Sequence, residues 1–438
     1  MRKYILIILW GSLFCSITAQ NHYTLKSCLE KGLENNYYLR IVRNEEQISK
    51  NNATIGNAGF LPVVDLKGTY SGSIMNNESK LRENNNVNKE TNVFDQVYDV
   101  GADLNWTIFQ GFKMFSTYKQ LKVLELQGET NTRINIEDFV AGLAAEYYNY
   151  VCQHIRMKNL LYAVKLSRER LRIVEERYNI GDFSRLDLQQ ARVDFNADSA
   201  KYMKQQELLN SSLISLNRLM ARKDLNEKIS ISDTVINVTR LLSLDALVNA
   251  TLKNNASLIK AFQDKKLAQI NLRIIKSRNY PYMKLNAGYG YTYRKYDIAN
   301  NIRQSNIGAN FGITVGMNIF DGNRKRESKN ARIVIDNAEL QEKDLLQTLK
   351  ADISNLWQSY TNNMEMLKLE RENLIAAREN HEIAYERYLL GNLSGIEMRE
   401  AQKSLLDAEE RILSAEYDTK ICEISLLQIS GNIMEYLD

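Results

Sequence analysis

Apolar and polar residues alternate in four segments of the chain, which is the pattern of β-strands with one apolar face. In one segment the apolar positions are Met283, Leu285, Ala287, Tyr289, Tyr291 and Tyr293. The intervening positions are mostly small or uncharged, and they are Lys284, Asn286, Gly288, Gly290, Thr292 and Arg294. The alternation predicts strands at about residues 62–75, 95–109, 282–294 and 303–319.

Long helices are predicted where apolar residues recur at steps of three and four, as in Val140, Ala144, Tyr147 and Val151. Their expected ranges are about 113–180, 184–221, 323–390 and 394–430, and further helices are expected near 24–59 and 244–278. At a rise of about 1.5 Å per residue, each of the two longest would reach roughly 100 Å.

The four long helices are expected to form two helical hairpins that point away from the strands. Gly181 and Gly391 close the longer helix of each pair, because glycine readily adopts the left-handed conformation that ends helices. Ser184 and Ser394 then cap the shorter helix, because a serine side chain accepts a hydrogen bond from the first turn.

The second half of the chain repeats the first. Pro62 and Pro281, the only prolines, lie 219 residues apart, and each precedes the first strand of its half. The motifs between the last strand and the long helix are Phe109-Gln110-Gly111 and Phe320-Asp321-Gly322, which lie 211 residues apart. We predict a first repeat at 20–240, including a connecting segment at 222–240, and a second repeat at 241–438.

The N-terminus has the pattern of an export signal. Arg2 and Lys3 precede an apolar stretch from Tyr4 to Phe14 that is too short to span a bilayer. Cleavage near Ala19 would follow, so residues 1–19 are predicted to be a signal peptide. The alternative interpretation of this stretch is a buried first helix.

The composition argues against several kinds of site. A net charge of +4 lacks the concentrated basic character of nucleic-acid-binding proteins. Three scattered histidines and the widely spaced Cys28, Cys152 and Cys422 form no metal-ligand pattern, so we expect neither a metal nor a cofactor. Ser116 and Lys119 fit the S-x-x-K spacing, but without companion motifs they do not indicate an enzyme.

An ordinary sheet with one buried face would also explain the alternation, but three features favour strands in a membrane. The predicted strands run to about a dozen residues against a usual ~5–6. Their polar faces are small and weakly charged, and aromatic residues cluster on the apolar faces. Four strands cannot close a barrel, since the smallest have about eight, so several protomers must share one. The polar tracts 76–92 and 294–301 would be outer loops.

The duplicated strand–strand–helix–helix unit resembles the TolC family of outer-membrane efflux proteins over nearly the whole mature chain. The resemblance rests on Asn318-Ile319-Phe320-Asp321-Gly322 and on Tyr388-x-x-Gly391-x-x-Ser394-x-x-Glu397. It implies a mixed α and β fold in which each protomer gives four transmembrane strands to a trimeric, twelve-stranded barrel. Below the barrel, long α-helical hairpins would form a periplasmic coiled-coil tube.

The resemblance also implies partners and a location. The protein would be a homotrimer in outer-membrane lipid, with its helical part in the periplasm. The hairpin turns at Gly181, Ser184, Gly391 and Ser394 would dock on a periplasmic membrane-fusion adaptor and an inner-membrane pump of the RND or ABC type.

Glu397 and Glu400 are candidates for a pore constriction at the periplasmic tip. They lie three residues apart and so share a helix face. In a three-fold tube they would form two rings of three carboxylates, which attract cations and repel anions. The resemblance implies this role, since the constricting carboxylates of the family lie six and nine residues after the glycine. The alternative is an ordinary solvated helix face.

The resemblance further implies a contact between Tyr388 and Asp187 that holds the tip closed. A basic residue that some family members carry two positions after the glycine is replaced here by Leu393. The full closing network of those members is therefore not expected in this chain.

Two functions of different kinds remain open. The leading hypothesis is a passive exit duct for efflux or secretion, which the alternating strands favour. The alternative is a periplasmic coiled-coil adaptor or structural spacer without a pore, which the long helices would also suit. The sequence does not distinguish drugs, metals or proteins as cargo, because cargo selection belongs to the pump.

Overall fold

A computed structural model of the protein describes residues 22–80, 87–231, 233, 235–238, 242–298 and 302–437. The predicted signal peptide lies outside the described residues, as do parts of both predicted outer loops.

Helices make up most of the described chain. They are α1 (Leu25–Asn35), α2 (Tyr37–Asn52), α3 (Lys113–Asn179), α4 (Arg185–Leu219), α5 (Leu244–Asn254), α6 (Ala256–Ser277), α7 (Gly322–Leu389) and α8 (Gly395–Ile429), followed by a 3₁₀ helix at Ile433–Tyr436. The four long helices begin and end within two residues of the ranges expected from the sequence. Helix α3 is continuous over 67 residues and helix α7 over 68.

The shorter helices come in two pairs, and an asparagine separates the members of each pair. The side-chain oxygen of Asn36 accepts hydrogen bonds from the backbone N–H groups of Tyr38 at 2.9 Å and Leu39 at 3.2 Å. Asn255 likewise accepts from Leu258 at 3.0 Å. Because these caps start new helices, each single short helix expected from the sequence is in fact two.

The strands are β1 (His22–Tyr23), β2 (Val63–Lys80), β3 (Val87–Gln110), β4 (Ser230–Ile231), β5 (Tyr282–Lys295) and β6 (Arg303–Gly316). β1 and β4 form a short parallel pair, and the other four form an antiparallel sheet in the order β2-β3-β5-β6. Pro62 and Pro281 stand immediately before β2 and β5, where the missing N–H removes no ladder hydrogen bond.

The first β-hairpin is longer than the sequence predicted. β2 and β3 continue to pair as far as Lys80 and Val87, so the expected outer loop at 76–92 is wrong for the paired residues. Backbone pairing does not depend on an apolar face, and this polar stretch therefore gave no alternation to detect. β6 differs in the other direction, since it ends at Gly316 and not near residue 319.

The two faces of the four-stranded sheet differ in chemistry. One face carries large apolar side chains that are exposed in the single chain, among them Leu66, Tyr289, Ile307, Phe311, Ile313 and Val315. The other face is polar, and on it Lys67 pairs with Asp103 at 3.5 Å. The central β3–β5 pair joins the two halves of the sequence, with Gly101 opposite Gly290.

The chain divides into two compact units, and each takes elements from both halves of the sequence. The first unit contains the described residues of Met1–Arg40, Ile136–Asn254 and Lys350–Asp438. The second unit contains Ile41–Asn135 and Asn255–Leu349, and therefore the four-stranded sheet.

The main hydrophobic core lies in the first unit. Its fully buried side chains include Leu29, Leu39, Leu143, Tyr147, Leu216 and Ile433. The hydroxyl of Tyr147 donates a hydrogen bond to the Asp233 carboxylate at 2.8 Å. The hydroxyl of a buried tyrosine usually needs a hydrogen-bond partner. The bond from Tyr147 to Asp233 connects α3 to the segment that follows β4.

Candidate functional site

Both helical hairpins of the first unit close with the same backbone geometry. Gly181 and Gly391 adopt left-handed φ angles of 85° and 78°. After the first glycine, the N–H of Asp182 donates to the carbonyl of Arg177 at 2.9 Å. Asn392 makes the corresponding hydrogen bond in the second hairpin, also at 2.9 Å. These are the bonds of a Schellman ending, which needs a residue free to adopt positive φ.

A serine and an acidic residue form a reciprocal capping box at the start of each shorter helix. The Asp187 N–H donates to the Ser184 hydroxyl at 3.2 Å, and the Ser184 N–H donates to the Asp187 carboxylate at 3.1 Å. Glu397 and Ser394 make the same two bonds at 3.3 and 3.0 Å. The hydrogen bonds from the serines lower the pKa of Asp187 and of Glu397.

Glu397 and Glu400 lie on one exposed face of α8, as their spacing predicted. Lys403 follows three residues after Glu400 and is exposed on that same face. The spacing of Lys403 to Glu400 is visible in the sequence, so this cation of the acidic face was predictable. Glu397 is also part of the helix cap, so it has a structural role beside any role in a pore.

Tyr388 and Asp187 are not hydrogen-bonded to each other in the structure. Tyr388 is 1 % exposed and packs with Ala384 and Met398, and among the described residues its hydroxyl has no hydrogen-bond partner. Burial raises the pKa of this phenol. The carboxylate of Asp187 is occupied by its cap with Ser184, which explains why the expected contact is not made within the protomer.

A cavity of about 170 Å³ lies between the turns of the two hairpins. Arg170 lines it and forms a close ion pair with Asp194. Arg177 lies over the ring of Phe183 at 5.2 Å and donates to the carbonyl of Leu389 at 3.4 Å. Arg177 of α3 thus contacts both turns.

Charged side chains join the two hairpins in a way that the sequence did not predict. The guanidinium of Arg399 in α8 donates to both carboxylate oxygens of Asp198 in α4, at 2.6 and 2.8 Å. Ser167 of α3 donates a short hydrogen bond to the same carboxylate. Asp198 is 1 % exposed and the Arg399 side chain 21 %, so the carboxylate is fully buried and the guanidinium mostly so.

One signal of these buried polar groups was present in the sequence. Asp198, Gln205 and Ser212 are separated by seven residues each and fall on the buried face of α4. Polar residues repeated at a packing position indicate partners across the helix interface. The identity of the partner, Arg399, depends on a contact between residues about 200 positions apart and carries no local pattern.

The strand-to-helix motif of the first half forms a tight aromatic turn in the second unit. Gly111 has a φ of 54°, and a side chain there would collide with the carbonyl oxygen of Ser277. The rings of Phe109 and Phe112 meet edge to face at 5.2 Å. The ring of Phe112 meets Tyr280 in the same way at 5.8 Å. Glycine is therefore required at the position that the motif predicted.

The corresponding motif of the second half caps α7. The Asp321 carboxylate accepts from the N–H of Asn323 at 3.0 Å and lies 3.9 Å from the Arg278 guanidinium. Gly322 is the first residue of α7. Phe320 is 84 % exposed in the single chain, next to the end of the apolar sheet face.

No group of three or more His, Cys, Asp or Glu side chains within the described residues could hold a metal ion. In the part of the chain that the structure describes, no helix combines the length and apolarity needed to cross a bilayer.

The described features define a class of protein. An open sheet with one exposed apolar face and two long hairpins with acidic tips is the subunit of an outer-membrane channel. The sequence model of the family described as outer membrane efflux protein matches residues 28–222 and 247–432. The chain belongs to this family, as the resemblance of its motifs implied, and its fold and outer-membrane location are those expected.

Two relatives cover the chain almost end to end. The outer membrane protein TolC of Vibrio cholerae serotype O1 is 20 % identical over 438 residues, covering 97 % of this chain and 94 % of that protein. The probable efflux pump outer membrane protein TtgC of Pseudomonas putida is 22 % identical over 423 residues, covering 93 % of this chain and 82 % of that protein.

Solved structures show the same fold. The CmeC outer membrane channel of Campylobacter jejuni superposes with a TM-score of 0.75 at 19 % identity, covering 93 % of this chain and 86 % of that chain. The open state of the MtrE outer membrane channel of Neisseria gonorrhoeae gives a TM-score of 0.72 at 16 % identity, covering 93 % and 89 %. Members of the family are trimeric channels, not enzymes, and work with adaptors and inner-membrane pumps.

Proposed function

We propose that three copies of this chain form a passive exit duct across the outer membrane. The observation that carries the proposal is the open sheet. Within the described residues, β2 and β6 each pair on one side only, and four strands are too few to close a barrel. Pairing β6 of one protomer with β2 of the next would close twelve strands and leave no open edge. The exposed apolar face would then meet lipid, and the polar face would line the lumen.

The two halves, 20–240 and 241–438, are best described as two structural repeats of this duct. The family model matches once in each half. Each half also gives two strands to the sheet and one capped hairpin to the first unit. An internal repeat of this kind makes a trimer resemble a six-fold tube.

Glu397 and Glu400 form the proposed constriction at the periplasmic tip. Three copies of each would place six carboxylates around the axis, and rings of carboxylates favour cations. Both carboxylates are exposed in the single chain and are therefore free to face a lumen. Lys403 on the same face would reduce, but not cancel, the negative charge of the rings. The contact of Tyr388 with Asp187 stays a prediction for a closed trimer, where hairpins of neighbouring protomers meet.

The tips of the hairpins have a surface suited to docking a periplasmic membrane-fusion adaptor. Four aliphatic side chains next to the glycine turns are at least 75 % exposed, namely Ile180, Leu186, Leu390 and Ile396. They occupy equivalent positions of the two hairpins. Exposed apolar groups clustered at one end of a protein mark an interaction surface. The turns at Gly181, Ser184, Gly391 and Ser394 would present them to the adaptor, and an inner-membrane pump of the RND or ABC type would supply cargo and energy.

The proposal is tested on the mature protein extracted in mild detergent. Native mass spectrometry should give a trimer, and planar-bilayer recordings should give small cation-selective steps. The double variant Glu397→Gln with Glu400→Gln should lose much of the cation preference while remaining trimeric. A monomer that gives no conductance would contradict the duct and favour the adaptor or spacer. An unchanged reversal potential in the double variant would exclude these two carboxylates as the constriction.

A further inference from the structure

The first turns of α8 are anchored on one side by a buried ion pair. Arg399 makes its two-pronged contact with Asp198 at 2.6 and 2.8 Å, in the interior between the hairpins. Gln402, which is 1 % exposed, follows one turn later and donates to the carbonyl of Ala163 at 3.4 Å. The ion pair and the amide thus tie α8 to both helices of the first hairpin.

The network keeps its charges paired. Burial of Asp198 alone would raise its pKa, but the hydrogen bonds from Arg399 and Ser167 outweigh that effect, and the pKa lies below its usual value. Breaking a buried pair by removing one partner is costly, because the other charge is left without compensation. The ion pair of Arg399 with Asp198 therefore stays intact at neutral pH and holds the start of α8 against α4.

Arg399 lies in sequence between the two constriction carboxylates. Each helical residue turns the direction of the side chain by about 100°, so Glu400 points about 100° away from Arg399, and Glu397 about 160° away. Met398 and Ala401 are buried against Ala384 and Tyr388 of α7 on the inner side. Holding the Arg399 side in the interior therefore directs both carboxylates outward from the packed hairpins.

We propose that Arg399 is a positioning residue for the constriction, because its contact with Asp198 fixes the rotation of α8 and thereby the direction of Glu397 and Glu400. The inference rests on the proposed function, since it requires those carboxylates to line the pore. The first hairpin would thus control the gate of the second hairpin without contributing a charge to the pore. A displacement of α4 at its tip would turn α8 and redirect the acidic rings.

The sign of the expected effect separates positioning from simple charge removal. Loss of one positive charge near the pore would by itself increase the preference for cations. Loss of positioning turns the carboxylates away and decreases that preference. In assembled Arg399→Gln trimers, the cation-to-anion permeability ratio should fall by about fivefold, the effect of roughly one charge displaced from about 4 Å in water. The measurement is the reversal potential across a KCl gradient in a planar bilayer.

A charge swap and a matched control complete the design. The double variant Asp198→Arg with Arg399→Asp re-forms the pair with reversed polarity and should restore much of the ratio. Arg156→Gln removes a different ion pair of α8, that of Arg156 in α3 with Glu410, which is further from the tip and partly exposed. This control should leave the ratio unchanged.

The outcomes distinguish the inference from the proposed function. If Glu397→Gln with Glu400→Gln lowers the ratio but Arg399→Gln leaves it unchanged or raises it, the positioning role is wrong and the constriction stands. If the glutamate variant has no effect either, the constriction itself is wrong. Should Arg399→Gln not assemble, Arg399→Lys keeps the charge and loses the two-pronged contact. A lowered ratio in Arg399→Lys trimers supports positioning, and an unchanged ratio overturns it.

Discussion

Glu397 caps α8 and is also proposed to line the pore, and Ser394→Ala separates these two roles. The substitution removes the hydroxyl that accepts from the Glu397 N–H at 3.3 Å and that itself donates to the Glu397 carboxylate at 2.8 Å. The charge of Glu397 remains. Loss of an N-cap serine costs about 1 kcal/mol, within a range of roughly 0.5–2. The expected result is a loosened first turn of α8 with both acidic residues still present.

Hydrogen–deuterium exchange of the intact trimer measures this effect locally. About 1 kcal/mol corresponds to roughly fivefold more frequent opening, so the first-turn amides of α8 should exchange about fivefold faster. Ser184→Ala should do the same to the first turn of α4, which has the same capping box. Ser404→Ala is the control, because Ser404 is an exposed serine of α8 away from the cap.

Glu397→Gln completes the comparison. Glutamine keeps the side-chain oxygen that can accept from the Ser394 N–H, and it serves in capping boxes as glutamate does. Exchange in the first turn should therefore change less than about twofold, while cation preference decreases. Equal fraying in Glu397→Gln and Ser394→Ala would refute the reasoning, because a loss of selectivity could then come from the disordered turn and not from the missing charge.

Three further predictions follow from single positions. Gly111→Ala should lower the free energy of unfolding by more than about 1–3 kcal/mol, measured by urea denaturation of the trimer, because Gly111 has a positive φ and an added side chain would collide with the Ser277 carbonyl. Gly142→Ala is the control, since the space around Gly142 is open, and it should be neutral or stabilising. Tyr388→Phe removes a buried hydroxyl without a partner, so the thermal midpoint should stay the same or rise, and a lower midpoint would indicate a contact made only in the trimer. The lowered pKa of Asp198 means that its ion pair contributes stability above the unfolded value of about 3.9 and loses it as the pH falls through the folded value. The protection factors of the α4 amides, which correct for the intrinsic pH dependence of exchange, should therefore be the same at about pH 7 and pH 5.

The repeating elements were predictable because their signals are local. Helix periodicity and the glycine–serine spacing placed Gly181, Ser184, Gly391 and Ser394 in turns and caps, which is where the structure has them. The extension of the first β-hairpin was not predictable in this way. Its side chains are polar on both faces, and a strand is then defined by its partner and not by its own pattern.

The candidate site was predictable only in part. The face shared by Glu397 and Glu400 follows from helix geometry, and the capping role of Glu397 was readable from its spacing to Ser394 but was not inferred. The contact of Arg399 with Asp198 could not be obtained from the sequence, because it depends on how α4 and α8 pack against each other. Long-range charge pairs are fixed by tertiary structure, and single-sequence patterns do not contain them.

The open edges of the four-stranded sheet determine how a mutant chain would affect trimers that it shares with intact chains. A dimer of this chain would have as many open edges as a monomer, since each added copy satisfies one edge and brings another. Only the third copy removes both edges, so assembly is all-or-none in the proposed trimer. A copy with a damaged edge strand would therefore prevent closure of the barrel in every trimer that contains it. With equal amounts of damaged and intact chains, only about one ring in eight would be wholly intact, and an edge mutation should act as a dominant trait.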